Sequence, residues 1–166
     1  MDFSDFFEFI SPRAVTFLTA MTPVGELRAS IPIALSKYGM NIFETYIISV
    51  LGNMIPPIAI LWILDPVSKF LMSRYKLADR FFKWLFNRTR RKHSKRFKKY
   101  EGYALVAFVG TPLPITGGWT GALIAFVFGI PPKRALLHIF IGVLTAGIIV
   151  TTICQTVGYV KFIIAG

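Results

Sequence analysis

Two stretches of this chain, residues 42–64 and 135–159, are long and apolar enough to cross a lipid bilayer, and they limit the folds open to it. About 20 apolar residues in a helix cover the roughly 30 Å of a bilayer's hydrocarbon core. The chain is also 54% hydrophobic, which is more than a soluble domain of 166 residues can bury. We therefore predict an all-α integral membrane protein.

Basic residues are concentrated between these two stretches. Of the 19 lysines and arginines, which give the chain a net charge of +11, thirteen lie between residues 65 and 101. Because positively charged connections stay in the cytoplasm, this segment is predicted to be cytoplasmic and both termini to be outside. The setting expected for this topology is the plasma membrane.

The basic connection is also patterned as a helix. Apolar residues recur at helical spacing from Val67 to Leu85, with basic residues mostly elsewhere around the helix. We expect a basic amphipathic helix over residues 65–99 that lies on anionic lipid headgroups, with Asp65 as its cap before Pro66. The position of this segment between two spans argues against nucleic acid as its partner.

Each long apolar stretch follows a broken apolar segment. Residues 22–39 read TPVGELRASIPIALSKYG and residues 111–129 read TPLPITGGWTGALIAFVFG. Both begin with Thr-Pro, turn through glycine, continue as a short apolar segment and end on glycine. One common offset relates Gly39 to Gly129, and it recurs further along the chain.

These matches predict an internal repeat within a single membrane domain, residues 1–166. The first copy covers about 12–64 and the second about 102–160, and the basic connection 65–101 joins them. Since the two copies would begin on opposite sides of the membrane, they are inverted, as in many transporters. Gly52 and Gly142 are the second pair of glycines at the same offset.

The breaks predict chain reversals inside the membrane. Proline has no amide hydrogen and clashes with the preceding turn of a helix, so each broken segment should form two half-helices. For the second segment these are about 103–110 and 118–129, joined as a re-entrant hairpin. Unpaired backbone at membrane depth is tolerated only against protein or water, so the two tips should meet. Two kinked, tilted spans, giving four ordinary helices, are the alternative. The expected breakpoints are Pro23, Gly25, Pro32, Pro112 and Pro114.

The candidate site is the place where the two tips meet. Glu26 and Arg28 are the acid and the base of the first tip, and charges at membrane depth are often functional. Burial should raise the pKa of Glu26 so that it exchanges a proton, while Arg28 attracts an anionic group. Alternatively, the two side chains pair and hold the tip together. The remaining substrate-binding or ion-binding candidates are Thr111, Thr116, Gly117, Gly118, Trp119, Thr120 and Asn53.

Each of these candidates has a chemical reason. The amides near Gly117 and Gly118 would begin a half-helix and donate to anions. Trp119 offers an aromatic wall, and Asn53 precedes two prolines that would open the first span toward the site. The sequence carries no metal-ligand cluster, phosphate loop or nucleophile with a base, so we expect neither an enzyme nor a cofactor.

The motifs ELRASIP (residues 26–32) and TPLPITGGWTGALIA (residues 111–125) resemble those of the small multi-drug export protein family of bacteria and archaea. The resemblance covers about residues 20–155 and implies membrane export. The architecture is also similar to that of the DedA superfamily, whose two opposed re-entrant hairpins are each followed by a span. DedA-type proteins carry arginines in the second hairpin, whereas GTPLPITGG here has none.

These observations lead to three functional hypotheses. The first is an exporter of small amphipathic or hydrophobic molecules, in one form coupled to protons, acting where the two opposed hairpins meet. The second is a DedA-like translocase of polyprenyl-phosphate or phospholipid, and the third is a non-transporting membrane scaffold. A small-molecule or lipid substrate is the expected partner, together with a second copy of the chain, since proteins with so few spans commonly dimerise.

Overall fold

A computed structural model of the protein describes residues 11–90, 95–113 and 116–165, and these residues form seven α-helices and no β-strand. The prediction of an all-α fold is therefore confirmed for this part of the chain. In chain order the helices are α1 (Pro12–Met21), α2 (Glu26–Ser36), α3 (Ile42–Arg74), α4 (Lys76–Arg90), α5 (Lys95–Gly110), α6 (Gly118–Phe128) and α7 (Pro132–Ala165).

Helices α3 and α7 are each long and apolar enough to cross a membrane, in agreement with the two predicted spans. They run antiparallel. Near the start of α3, the Tyr46 hydroxyl donates to the Leu144 carbonyl of α7 at 3.0 Å. Toward the end of α3, Leu61 lines a cavity with Pro132, the first residue of α7. With 33 residues, α3 is about 50 Å long and exceeds the hydrocarbon core of a bilayer.

The first span does not end at Leu64 as expected. Helix α3 continues through Pro66 to Arg74, so Asp65 lies within a helix and does not cap one. Its carboxylate pairs with Lys69 one turn later at 2.7 Å, and its carbonyl accepts from the buried Ser68 hydroxyl at 2.9 Å. These local bonds stabilise the helix across the proline. The connection 65–101 thus comprises the end of α3, all of α4 and the start of α5.

Helix α4 is the amphipathic part of this connection. Among its described side chains, Leu77 is 87% exposed, and the exposed Phe81 and Trp84 are further apolar members. Lys83 pairs with Asp79 at 2.8 Å on the polar side. An exposed apolar face beside basic residues suits the surface of a bilayer, and binding of anionic lipid by residues 65–99 stays a prediction.

The broken segments form two pairs of helices, but α5 begins at Lys95 and not near residue 103 as predicted, because the helix continues through the basic residues before the apolar run. The turn 22–25 joins α1 to α2, and the connection from α5 to α6, which we name the second turn, is described at residues 111–113 and 116–117. The first helix of each pair packs along the span that follows it, α1 on α3 and α5 on α7. The second helix packs across to the other span, α2 on α7 and α6 on α3. Each second helix also packs on the span that follows it, so each span contacts both half-helices of its own segment and the second half-helix of the other.

The breakpoints are only partly as predicted. Pro23 and Gly25 lie in the first turn and Pro112 in the second, whereas Pro114 lies outside the described residues. The prediction for Pro32 is wrong, because α2 continues through it to Ser36. Among packed helices a proline in a helix is tolerated when nearby groups satisfy the backbone again. Here the Ser36 hydroxyl donates to the Pro32 carbonyl at 2.6 Å and secures the last turn of α2.

The glycine pairs found in the sequence occupy matching places. Gly39 and Gly129 follow α2 and α6, and both adopt left-handed backbone conformations, with φ of 58° and 69°. A left-handed residue after a helix is most easily glycine, since it has no Cβ to clash. Gly52 of α3 lies against Phe17 of α1, and Gly142 of α7 lies against Val109 of α5. Both glycines therefore let a span approach its own first half-helix.

Replacing Gly52 with alanine is expected to loosen the contact between α1 and α3. A Cβ there would lie 2.5 Å from the Phe17 carbonyl oxygen and 3.0 Å from the Ala20 Cβ. Overpacking of this kind costs about 1–3 kcal/mol, which lowers the melting temperature by several degrees in a chain of this size. Thermal unfolding in detergent measures the change. Gly158→Ala, where a Cβ meets nothing within 4 Å, is the matched control and should leave the melting temperature unchanged or higher.

Candidate functional site

The two turns meet in the structure. The indole nitrogen of Trp119, at the start of α6, donates to the Met21 carbonyl at the end of α1 over 3.1 Å. The Arg28 guanidinium donates to the Thr116 carbonyl and, at 2.9 Å, to the Thr116 hydroxyl. These contacts join residues more than 80 positions apart in the chain. The candidates at the two predicted tips are thus neighbours.

Glu26 lies at the centre of this contact. Its side chain is only 7% exposed, and its carboxylate accepts a hydrogen bond from the backbone amide of Trp119. The carboxylate thus lies at the N-terminal end of α6, where the helix dipole favours negative charge. Burial raises the pKa of Glu26 to about 7, against the opposing effects of the Arg28 charge and the Trp119 amide. Glu26 can therefore exchange a proton near neutral pH.

Gly117 makes this position of Glu26 possible. A Cβ on Gly117 would overlap the Glu26 carboxylate, so only glycine leaves room for it. Gly118 has a related role, because a Cβ there would lie 2.9 Å from Pro57 and 3.2 Å from two oxygens of Asn53. The Gly-Gly pair therefore allows close packing against both Glu26 and α3.

The backbone of Glu26 is strained. Its φ of 44° is in the left-handed region, and it is the one non-glycine residue with positive φ in the described part of the chain. Such a conformation costs an L-residue roughly 1–2 kcal/mol. Strain of this kind clusters at functional sites, where the surrounding structure imposes it. Sequence reasoning did not foresee it, since no residue pattern marks a glutamate for this conformation.

Arg28 binds the second turn instead of pairing closely with Glu26. Besides Thr116, its guanidinium reaches the Thr111 carbonyl at 3.4 Å. The ion pairs of the described residues join Arg13 to Glu44, Lys69 to Asp65 and Lys83 to Asp79, and none joins Glu26 to Arg28. The two charges still attract each other, but each has its hydrogen bonds to the opposite turn. Both charged residues therefore hold the two turns together.

An open cavity of about 550 Å³ lies beside this contact. Its walls are mostly apolar, with one acid and one base among them, which is the composition of a site for small organic molecules. Another cavity, of about 330 Å³, borders Asp65 and Lys69, which are already paired with each other. The lining residues of the first cavity, which we name the turn cavity, are Pro23, Val24, Glu26, Arg28, Pro112, Thr116, Trp119, Thr120 and Leu123.

The other predicted site residues lie around the turn cavity without lining it. Thr111 is exposed and its hydroxyl donates to the Ala107 carbonyl at 2.7 Å, which extends α5 by a turn. Asn53 is 2% exposed and lies behind Gly118, on the far side of the turns. Sequence reasoning missed the cavity residues Val24 and Leu123, because nothing distinguishes them from the many other apolar side chains. Among the residues that the structure describes, no group of three His, Cys, Asp or Glu side chains is placed to hold a metal ion.

Comparison with known protein families gives one match. The profile of the family described as "Putative small multi-drug export protein" matches residues 26–149, which is well over half of the chain. The chain belongs to this family. The match begins at Glu26 and covers α3, the second turn and the first part of α7, up to residue 149. The small multi-drug export protein family and the two apolar helices together make this a membrane protein with a role in transport. Searches of curated proteins and of solved structures found no significant match.

Proposed function

We propose that this chain is a secondary transporter that exports small amphipathic or hydrophobic molecules in exchange for protons. The observation that carries the proposal is the turn cavity, whose wall contains the nearly buried carboxyl of Glu26 at the contact between two chain breaks. A cavity of about 550 Å³ has the size of known small-molecule sites. A carboxyl that titrates near neutral pH supplies the proton exchange.

The architecture that we propose has two inverted repeats, and each repeat is a re-entrant hairpin followed by a span. The packing of α1 on α3 matches that of α5 on α7, and the packing of α2 on α7 matches that of α6 on α3. The equivalent glycine pairs and the antiparallel spans support the same arrangement. In transporters built this way, one repeat rocks against the other around a fixed central site.

The contact between the turns supplies a way to couple protons to cargo. An ionised Glu26 is attracted to the N-terminal end of α6, and protonation removes that attraction. A cationic amphipathic molecule in the turn cavity competes for the same carboxylate, and the Trp119 ring offers it an aromatic surface. Protonation of Glu26 therefore weakens the binding of the cargo.

Orientation in the membrane follows from the distribution of charge. We place the basic α4 on the cytoplasmic face, where it lies on anionic lipid, and both termini outside. Cargo then enters from the cytoplasm and leaves on the outer side of a prokaryotic plasma membrane. A second copy of the chain is an additional proposed partner.

Transport in proteoliposomes tests this function. Ethidium, a permanently charged aromatic cation, is added outside vesicles that have an acidic interior and contain an interior pH dye. We expect ethidium to accumulate inside as protons leave, relative to protein-free vesicles. Ethidium uptake equal to that of protein-free vesicles would overturn the proposal. If there is no ethidium uptake but a fluorescent anionic lipid becomes accessible to external dithionite, the cargo is assigned as lipid.

A further inference from the structure

A small internal cavity also borders Glu26. Its volume is about 10 Å³, roughly the space that one water molecule requires. Its polar lining residues are Glu26, Arg28 and Asn53, and Leu27, Val109 and Val143 are among its apolar ones. Glu26 therefore borders both an open cavity and one of the size of a single water molecule.

Asn53 directs unpaired acceptors toward this region. Its side-chain oxygen Oδ1 is fully buried and has no hydrogen-bond partner in the protein. Its backbone carbonyl lacks the usual helical donor, because residue 57, four positions later, is a proline without an amide hydrogen. Both oxygens lie within 3.2 Å of the place where a Gly118 Cβ would be. A buried acceptor without a donor is unfavourable, so the site calls for a molecule that donates hydrogen bonds.

We propose that the cavity binds one water molecule, hydrogen-bonded to both Glu26 and Asn53, and that Asn53 thereby positions the proton of Glu26. When Glu26 is ionised, the water donates one hydrogen to the carboxylate and the other to Asn53 Oδ1. When Glu26 is protonated, its O–H donates to the water, which donates both hydrogens to the Asn53 oxygens. The role in coupling rests on the proposed transport function, whereas binding of the water does not.

A water molecule suits this cavity better than a cation. The charged group that faces Glu26 is Arg28, which also lines the cavity, and Gly117 at the positive end of α6 lines it as well. The remaining helices at the cavity contribute Asn53 from α3, Val109 from α5 and Val143 from α7, none of which titrates. Since these surroundings balance the single carboxylate, a further positive charge has no partner there.

The first test uses infrared difference spectroscopy on the unmodified protein in lipid. The spectrum is recorded as pH is stepped through the titration of Glu26, whose carboxyl band is assigned by its loss in Glu26→Gln. We expect an accompanying O–H band from a bound water that shifts when H₂¹⁸O replaces ordinary water. Absence of any isotope-sensitive band in the unmodified protein would overturn the proposal.

The second test uses Asn53→Leu, which removes both side-chain polar groups and fills the cavity with an apolar group of similar size. We expect the isotope-sensitive band to disappear and the midpoint of the Glu26 titration to rise by about one pH unit, because the carboxylate loses a donor. Thr45→Val is the matched control, since Thr45 is also buried on α3 with an unpartnered hydroxyl but lies away from the cavity. The proposal would be contradicted if Asn53→Leu kept the isotope-sensitive band and had the same Glu26 titration midpoint as the Thr45→Val control. Neither readout depends on ethidium transport, so a failure of the transport function is recognised separately.

Discussion

Glu26→Gln is expected to reduce proton-driven ethidium accumulation by about 100-fold or more while the protein stays folded. A positioned group that transfers protons commonly contributes at least this factor to a rate. Glutamine has nearly the same shape, fits the space beside Gly117 and still accepts from the Trp119 amide. It cannot bind or release a proton, so cargo movement loses its link to the pH gradient. Proteoliposomes with interior pH and ethidium readouts measure both losses.

The same substitution should change the dependence of folding stability on pH. Because burial raises the pKa of Glu26 to about 7, the folded state favours the neutral carboxyl. The resulting stabilisation is fully present below the unfolded-state value of about 4.5 and is lost as pH rises through about 7. The melting temperature of the unmodified protein should therefore fall between pH 5 and pH 8, and that of Glu26→Gln should fall less.

A carboxylate outside the turn cavity serves as the control. Glu44 pairs with Arg13 between α3 and α1, away from the second turn. Glu44→Gln should retain proton-driven uptake of ethidium. If Glu26→Gln also retained it at the rate of the unmodified protein, Glu26 would not be the coupling group and the proposed mechanism would be wrong.

Gly117→Ala is expected to separate the two turns, with a loss of several degrees in melting temperature and of at least tenfold in transport. The added Cβ would occupy the position of the Glu26 carboxylate and displace it from the Trp119 amide. Overpacking costs about 1–3 kcal/mol, and losing the hydrogen bond to a charged group costs a similar amount. The Gly117 backbone is extended, with φ of 175°, so alanine tolerates the conformation and the overlap alone causes the effect.

A double-mutant cycle separates this overlap from any general effect at Gly117. In a Glu26→Ala background the carboxylate is gone, so Gly117→Ala should cost much less than it does alone. The coupling between the two substitutions should reach about 1 kcal/mol or more, as for residues in direct contact. Additive effects on the melting temperature would show that Glu26 and Gly117 do not touch.

Much of the fold followed from local properties of the chain. The positions of α3 and α7 follow from long apolar runs, although α3 continues past the predicted end at Leu64 to Arg74. The turns at Pro23 and Pro112 follow from residues that interrupt helices. Helix α6 occupies nearly the predicted residues for the same reason. The effect of Pro32 was not predictable in this way, since whether a proline ends a helix depends on what surrounds it. Helix α2 is packed on α3 and α7 and continues through Pro32.

The candidate site could be predicted from the sequence less completely than the fold. Charged and polar residues at two chain breaks identified Glu26, Arg28 and Trp119 as candidates, and the structure brings them together. That Arg28 binds the carbonyl of Thr116 instead of pairing with Glu26 depends on the exact approach of the two turns. The identity of Val24 as a cavity residue depends on it as well.

The sequence by itself therefore determined which helices are long and apolar enough to cross a membrane, most of the places where the chain breaks and where its charge lies, because these depend on composition over a few neighbouring residues. Only the tertiary structure decided that Glu26 is buried against α6 in a left-handed conformation and that Asn53 has an acceptor without a donor. The burial of a side chain and its hydrogen-bond partners depend on residues distant in sequence, and no local sequence pattern encodes how closely those residues approach. The protonation behaviour of Glu26 depends on its burial and on its hydrogen-bond partners, so its chemistry is a property of the folded protein.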